Sequence, residues 1–267
     1  MTTFLVLLIL AALQGLTEFL PVSSSGHLVL AKLYLPGGGS LHASDSIEVW
    51  LHLGTLLTVL LFYRQRVFAL LGGLVGIGSQ VAEQRKLALG LIVATLPVVV
   101  VGAAIHFSEI EWFENTTLAS AGLILTSLIL WRSHYCHGQQ LEILDFTWKL
   151  ALLVGAAQAV ALIPGVSRSG ATIVAALSLG FTIEAAAALS FLMSIPAIVG
   201  AGVLKIPGAL QEGGTALTDI LLAVGLSFFV GYLALGMLLW VARKNRLSWF
   251  APYCLLLGLL GLSASLG

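Results

Sequence analysis

The sequence predicts an all-α polytopic membrane protein with six transmembrane helices and two re-entrant helical hairpins, arranged as an inverted-topology repeat. Of its 267 residues, 59% are hydrophobic and 9% are charged. A soluble domain carries about 25% charged residues, so this composition indicates a membrane protein. The apolar runs are continuous and do not alternate with polar residues, which indicates helices rather than barrel strands. Two similar polar segments interrupt the chain, one in each half.

Six apolar stretches approach the roughly 20 residues that a helix needs to span a bilayer. They cover residues 47–63, 87–106, 117–132, 183–204, 217–241 and 249–266. The shorter, Gly-rich stretch 67–81 lies between basic residues, and we predict that it is an interfacial helix. Regions 3–34 and 148–181 are apolar but broken by Pro, Gly and Ser. Each break predicts two half-length helices that meet at a turn, buried in protein or beside a wet cavity.

Basic residues predict the orientation of these segments. Nine of the 12 Lys and Arg residues fall on one side of the arrangement, Lys32 and Lys205 fall on the other, and Arg168 lies inside the second polar segment. The positive-inside rule makes the richer side cytoplasmic, so both termini face outside. Each half holds one hairpin and three spans, and because three is odd the second half is inverted. We expect a single membrane domain over 1–267, with repeats at approximately 1–133 and 148–267 and with hairpin turns that meet near the midplane.

The two polar segments have the composition of anion-binding helix starts. The first reads Pro-Val-Ser-Ser-Ser-Gly-His over 21–27, and the second reads Pro-Gly-Val-Ser-Arg-Ser-Gly over 164–170. Serine favours a helix start because its oxygen accepts hydrogen bonds from free backbone N–H groups. Such a start carries partial positive charge and binds anions. Two of them facing each other, with the guanidinium of Arg168 between them, suit a diphosphate.

The first hairpin also supplies reactive groups. Gln14 and Glu18 are four residues apart and share one helix face, and His27 follows across the turn. Ionisable groups at membrane depth are costly and indicate a functional site, here one suited to phosphoryl transfer. Glu18 can bind Mg²⁺ or Ca²⁺ or orient a base, and His27 can act as a nucleophile or as a general acid/base. Another reading is a serine nucleophile activated by His27: Ser23, Ser24 or Ser25. A structural Glu18–Arg168 ion pair is the main alternative for those two residues.

The remaining polar residues point to structure rather than chemistry. Glu48 and Glu184 lie near the starts of predicted spans, where helix dipoles favour them. His52 lies within a span, and we expect it to be a packed polar residue. The net charge of zero implies no nucleic-acid partner. The two cysteines lie in unrelated segments, so we expect neither a disulfide framework nor a thiolate metal site.

At these motifs the chain resembles the undecaprenyl-diphosphate phosphatase family of bacterial membranes, the bacitracin-resistance type. Residues 14–27, Gln-Gly-Leu-Thr-Glu-Phe-Leu-Pro-Val-Ser-Ser-Ser-Gly-His, are similar to the family's Glu/Gln-x-x-x-Glu element and its serine-histidine segment. Residues 164–172, Pro-Gly-Val-Ser-Arg-Ser-Gly-Ala-Thr, are similar to its Pro-Gly-x-Ser-Arg-Ser-x-x-Thr element. The stretch 188–197 is also similar, and the likeness runs along the whole chain.

The resemblance implies hydrolysis of undecaprenyl diphosphate to undecaprenyl phosphate and inorganic phosphate. This reaction recycles the lipid carrier for peptidoglycan synthesis and confers bacitracin resistance. The resemblance also implies a divalent cation, Mg²⁺ or Ca²⁺, and a place in the bacterial plasma (inner) membrane with the site open to the outer, periplasmic face. The expected partners are the prenyl diphosphate lipid and the bilayer, and homodimer formation stays open.

Carried over by position, the catalytic residues would be Glu18, His27, Ser24 and Arg168, with Glu18 as the metal ligand. The expected substrate-binding residues are Ser23, Ser25, Ser167, Ser169, Thr172 and Gln14. The nucleophile stays open between His27 and Ser24. Many members carry an acid where this chain has Gln14, and this departure argues against a metal site with two carboxylates.

Two other functions are consistent with the sequence. A transporter or flippase of a phosphorylated prenyl lipid or another anion would also use broken helices in an inverted repeat. The combination of Glu18 and His27 argues for an enzyme, because anion binding alone needs only Arg168 and the helix ends. An assembly factor for envelope proteins is the third reading, and it predicts that variants at the site lose stability rather than activity.

Overall fold

The computed structural model describes residues 2–34, 45–108, 115–136, 140–212 and 216–266. Within these ranges the chain forms eleven α-helices and three short 3₁₀ turns, and its β pairing is limited to one isolated bridge between Leu141 and Phe181. The predicted all-α class is therefore confirmed. The helices are α1 (Thr2–Phe19), α2 (Ser24–Tyr34), α3 (Asp45–Phe62), α4 (Arg64–Val75), α5 (Val81–Phe107), α6 (Thr116–Arg132), α7 (Trp148–Val160), α8 (Arg168–Ser178), α9 (Ile183–Glu212), α10 (Leu217–Arg243) and α11 (Ala251–Leu266).

Four of the described helices are long and apolar enough to cross a membrane. These spans are Val81–Ile105, Ile183–Gly208, Leu217–Arg243 and Leu247–Ser265. Helices α3 and α4 meet the same criteria together, as a pair bent by 81°, and would be a fifth span. The chain is a multi-pass membrane protein, and each of the six predicted spans is a helix. The six-span count itself stays a prediction, because α6 has 17 residues and α3 meets the criteria only together with α4.

A helix is present where the sequence predicts an interfacial one, with different bounds. Helix α4 begins at Arg64 and ends at Val75, where Gly76 takes a left-handed conformation with φ of +81°. The predicted bounds of 67–81 lie too far along the chain. The chain bends sharply after α3 ends at Phe62, and α4 begins at once at Arg64. A helix bent this far from its predecessor suits the membrane surface, although its depth stays a prediction.

Both predicted breaks are present. Helices α1 and α2 are separated at residues 20–23, and α7 and α8 at residues 161–167. Positive φ angles turn the chain at both places, +70° at Ser23 and +84° at Gly165. Within each pair the two half-helices contact each other, so each broken region is a pair of packed half-helices. That these pairs are re-entrant stays a prediction.

The hairpins pack against long helices in a corresponding way. Helix α1 packs against α10, and α7 packs against α5. Helix α9 runs beside α3 and α8 and carries much of the buried core, in which the Phe19 and Phe191 ring centroids lie 5.6 Å apart. This packing fixes the end of α1, where the first polar segment begins. The repeat and its inversion stay predictions, and the loop residues Ser40 and Gly138, which would report on sidedness, lie outside the described residues.

Candidate active site

The two hairpin turns contact each other, as the sequence predicts. A Cβ added to Gly26 would lie 3.0 Å from the Cα of Gly165, so the two backbones touch. The amide of Gly165 donates to Ser25 Oγ at 3.4 Å, and Ser169 Oγ donates to the Leu20 carbonyl at 3.4 Å. Residues that are 139 to 149 positions apart in sequence therefore form one polar centre.

Helix α6 supports the second turn from behind. A Cβ on Gly122 would overlap the Pro164 carbonyl, so glycine is required for this close approach. Thr126 Oγ1 donates to the Gly165 carbonyl at 2.8 Å and accepts from the Ser167 amide at 2.9 Å. Both bonds are buried, and they fix the backbone immediately before α8.

The serines of the two polar segments make the same hydrogen bonds, although the backbones differ, with φ of +70° at Ser23 and −70° at Ser167. Ser23 Oγ accepts from the Gly26 amide at 3.3 Å and lies 3.2 Å from Ser25 Oγ. In the second segment Ser167 Oγ accepts from the Gly170 amide at 3.1 Å and lies 3.2 Å from Ser169 Oγ. The predicted serine caps are therefore confirmed. Between the paired serines one segment carries Ser24 and the other carries Arg168.

Glu18 contacts the other polar side chains at the middle of this centre. Its side chain is 7% exposed, and its Oε1 lies 2.5 Å from Arg168 Nη2. Its Oε2 accepts from Ser24 Oγ at 2.8 Å and from Gln14 Nε2 at 3.0 Å. The ion pair considered as an alternative to function is thus present. The Glu18 carboxylate therefore contacts both the Ser24 hydroxyl and the Arg168 guanidinium, an arrangement that also suits phosphoryl transfer.

Arg168 is held in place from its other side. Its Nη1 donates to the Ser190 carbonyl at 3.3 Å. Thr172 Oγ1 donates to the Arg168 carbonyl at 2.8 Å and lies 2.7 Å from Ser190 Oγ. Thr172 and Ser190 are fully buried and do not line the cavity, so they hold the backbone and the guanidinium of Arg168 from behind it.

A cavity of about 460 Å³ opens onto this centre. Six of the predicted site residues line it: Glu18, Ser23, Ser24, Ser25, Ser167 and Arg168. The four others lie behind that lining: Gln14, His27, Ser169 and Thr172. Apolar side chains of α3 and α9 form the walls, among them Val49, Leu53, Leu56, Ile198, Val203 and Ile206. The cavity therefore has a polar end and apolar walls.

His27 is turned away from the cavity. The residue is 7% exposed, its Nδ1 lies 2.7 Å from the Ser23 carbonyl, and its Nε2 lies 2.7 Å from the Tyr253 hydroxyl. Both ring nitrogens are thus occupied by groups other than Ser24. In this geometry the imidazole fixes the turn on which Ser24 sits, while Ser24 itself is bonded to Glu18.

The cavity also contains polar residues that the sequence analysis did not select. His52 Nε2 lies 3.7 Å from Glu18 Oε2, and His52 Nδ1 lies 2.7 Å from the Glu48 carbonyl. His52, Glu48 and Lys205 all line the cavity. A signal was available, because Glu48 and His52 are polar residues four apart within an apolar helix, as are Gln14 and Glu18.

The residues at the site suit a cation that is bound jointly with the substrate better than a cation held by protein ligands alone. The described residues contain no cluster of three or more His, Cys, Asp or Glu side chains suited to holding a metal. The centre does offer the Glu18 carboxylate, and the amide Oε1 of Gln14 is buried without a hydrogen-bond partner. Mg²⁺ is commonly bound by one or two carboxylates together with substrate phosphates. The donor set fits that mode of binding.

Comparison with known proteins gives a consistent result. The family model described as "Bacitracin resistance protein BacA" matches residues 7–260. The undecaprenyl-diphosphatase of Desulfatibacillum aliphaticivorans is 39% identical over 268 residues, covering 96% of each chain. Those of Rhodopirellula baltica and Korarchaeum cryptofilum are each 38% identical, over 255 and 265 residues, covering at least 94% of each chain. The chain belongs to the bacitracin resistance protein BacA family.

Proposed function

We propose that the protein hydrolyses undecaprenyl diphosphate to undecaprenyl phosphate and inorganic phosphate, which recycles the lipid carrier for peptidoglycan synthesis. One observation carries the proposal: Ser24 and Arg168, from two separate helix starts, both contact Glu18 on one apolar-walled cavity. Relatives that match almost the whole chain are named undecaprenyl-diphosphatase. The site and these names point to the same enzyme.

The cavity suits both ends of such a lipid. The diphosphate lies at the polar end, where the first backbone N–H groups of α2 and α8 and the fork of Arg168 bind anionic oxygens. The isoprenoid chain lies along the apolar side chains of α3 and α9, where burial contributes about 0.8 kcal/mol per CH₂ group. A free phosphate ion would not contact these apolar side chains, so the geometry favours a lipid substrate.

Ser24 is the nucleophile that this geometry favours. Its Oγ attacks the terminal phosphorus while Glu18 Oε2, at 2.8 Å, accepts the proton. The bond from that phosphorus to the bridging oxygen breaks, and undecaprenyl phosphate leaves. Water then hydrolyses the phosphoserine, which releases inorganic phosphate and restores Ser24. Arg168 stabilises the charge on the transferring group.

The other polar residues act as supports in this scheme. His27 holds the turn through the Ser23 carbonyl, and Gln14 orients Glu18. Glu18 would hold Mg²⁺ or Ca²⁺ jointly with the diphosphate oxygens, and the ion would neutralise charge on the leaving phosphate. His27 as the nucleophile is the competing assignment. Under it, loss of the Ser24 hydroxyl would leave most of the activity.

We further propose six transmembrane helices and two re-entrant hairpins in inverted repeats, with the site open to the outer face of the plasma membrane. The distribution of basic residues supports this orientation. Ser40→Cys and Gly138→Cys, each in a background lacking Cys136 and Cys254, test it with an impermeant thiol reagent on intact cells. Only the cysteine at 40 should react. Labelling of both or of neither, while controls behave, would rule out the arrangement.

Phosphate release from undecaprenyl diphosphate by purified protein in detergent tests the activity. We expect one phosphate and one undecaprenyl phosphate per substrate, and no turnover of undecaprenyl phosphate itself. A transporter or flippase would release none, since transport breaks no phosphorus–oxygen bond. Ser24→Ala should abolish release, and Ser263→Ala, an exposed hydroxyl on α11, is the matched control that should retain it.

A further inference from the structure

A second cavity, of about 710 Å³, lies between the first turns of α5 and α7 and shares no lining residue with the candidate active site. Three basic side chains line it: Arg85, Lys86 and Lys149. The buried Phe146 joins the two helices here, because its ring packs on Gly90 of α5 immediately before α7 begins. The arrangement brings cations from two distant parts of the chain to one opening.

The described residues that line this cavity include no carboxylate, although Glu83 lies beside it in the first turn of α5. No described carboxylate lies within ion-pair distance of any of the three basic side chains. The nearby Asp145 carboxylate accepts from the Glu142 amide at 2.8 Å within its own 3₁₀ turn. Arg85 Nε donates to the Gly73 carbonyl at 3.2 Å, which holds its guanidinium in place without removing its charge. The cavity therefore attracts an anion.

The start of α7 adds to this attraction and indicates the depth of the site. Thr147 caps the helix by accepting from the Leu150 amide at 3.5 Å, and the other N–H groups of the first turn are free to bind an anion. Trp148 is 60% exposed, and Lys149 Nζ lies 5.5 Å from its ring centroid. Exposed tryptophans beside basic residues are typical of the level of the lipid headgroups.

The floor of the cavity is apolar. Leu89 follows Lys86 by three residues and Val93 follows Leu89 by four, so they continue the same face of α5 toward the membrane interior. Leu89 is 51% exposed. A ligand that fills this shape has a negative headgroup at the basic rim and a hydrocarbon chain along α5. A soluble anion would leave the apolar face empty.

We propose that this cavity binds an anionic diacyl phospholipid, with its phosphate among Arg85, Lys86 and Lys149 and an acyl chain along Leu89 and Val93. The basic rim lies on the side that the positive-inside rule makes cytoplasmic. The ligand is a constituent of the inner leaflet, and the site is separate from that of the hydrolysed lipid. Its role is to anchor the starts of α5 and α7 at the membrane surface.

Native mass spectrometry of the full-length protein, titrated with phosphatidylglycerol and with phosphatidylcholine of identical acyl chains, tests the proposal. Wild-type protein should bind phosphatidylglycerol more tightly. The double variant Lys86→Gln/Lys149→Gln should bind it roughly 30-fold more weakly, since each charge contributes about 1 kcal/mol and 1.4 kcal/mol is tenfold. Lys149→Gln alone should cost roughly fivefold on the same scale. Inorganic phosphate at the same concentration should not compete, because it lacks the chain.

The matched control is Lys244→Gln/Arg246→Gln. It removes two charges that lie on the same predicted side and also contact tryptophans, at 3.9 Å from Trp240 and 4.1 Å from Trp249, outside this cavity. The control should bind phosphatidylglycerol as the wild type does, and both variants should keep wild-type phosphate release. Equal weakening in both double variants, equal affinity of the wild type for the two lipids, or full competition by phosphate would each overturn the proposal.

Discussion

Replacing Arg168 with alanine should abolish most hydrolysis. The guanidinium is fixed by Glu18 at 2.5 Å and by the Ser190 carbonyl at 3.3 Å, so its fork is already oriented before substrate binds. A charge-assisted hydrogen bond contributes about 1.5–3 kcal/mol, and two bonds to the transferring phosphoryl group would contribute about 3–6 kcal/mol. Since each 1.36 kcal/mol is tenfold in rate, kcat should fall by roughly 10²–10⁴-fold.

The same substitution has a separate effect on stability. It leaves the Glu18 carboxylate, whose side chain is 7% exposed, without its cation. Breaking a buried ion pair costs about 3–5 kcal/mol, and the lower end applies here because the Arg168 side chain is 19% exposed. The double variant Arg168→Ala/Glu18→Gln removes the unpaired charge. It should regain thermal stability, which isolates the effect of the unpaired charge. It stays inactive because it lacks both Arg168 and the Glu18 carboxylate, so only its stability is compared.

Initial rates of phosphate release in detergent, paired with thermal unfolding of the same samples, measure both effects. Arg168→Lys is the conservative control. It keeps the charge but loses the planar fork, so it should recover stability better than rate. Near-wild-type release by Arg168→Ala would refute the assignment of Arg168 as the phosphate clamp. Full recovery of rate in the double variant would contradict both the role of Arg168 as the clamp and that of Glu18 as the proton acceptor.

Three further predictions follow from single contacts. Gly165→Ala should prevent stable folding, because φ at this residue is +84° and a Cβ would overlap the Ala119 carbonyl. Gel filtration and thermal unfolding measure this effect, and a well-folded variant would contradict the packing. Glu18→Ala should lower the rate at least 100-fold, a typical scale for acid–base removal, whereas Gln14→Ala should cost roughly tenfold in the same assay; equal losses would give the amide a direct role in binding. His27→Ala should reduce kcat by roughly 100-fold or more, a typical cost of misplacing a reacting group by about 1 Å, because it removes the contact with the Ser23 carbonyl that holds the turn. Tyr253→Phe removes only the bond to His27 Nε2 and should reduce kcat less than about tenfold. A Tyr253→Phe variant as slow as His27→Ala would contradict that role.

Local chemistry made the breaks and caps predictable. Proline, glycine and serine act within a few residues of their own position, so the starts of α2 and α8 agree with the predicted serine caps to within one residue. The six spans were predictable as helices for the same reason, since long apolar runs have few alternatives in lipid. The contact between the two turns followed from the internal similarity of the polar segments.

Helix rotation was not predictable. An apolar helix in a membrane offers a similar surface to lipid and to neighbouring helices, so composition does not fix which face turns inward. His52 therefore reads as an ordinary packed residue although it lies 3.7 Å from Glu18. The contact of His27 with Tyr253, 226 positions away, depends on the same rotation of α11. The predicted residue types were sufficient, and the tertiary arrangement decided which of them face the cavity.

The backbone contact between Gly26 and Gly165 has a consequence for biosynthesis. Glu18 and Ser24 are made early in translation, but the surface that completes their site comes from the second half of the chain. A nascent chain that ends before α7 holds the proposed nucleophile Ser24 and the Glu18 carboxylate without Arg168, so we expect it to have no activity toward the carrier lipid. Activity should emerge only after α8 has inserted beside α2 and α6. The two halves, produced as separate polypeptides, should each be inert and should regain hydrolysis only when they are co-expressed.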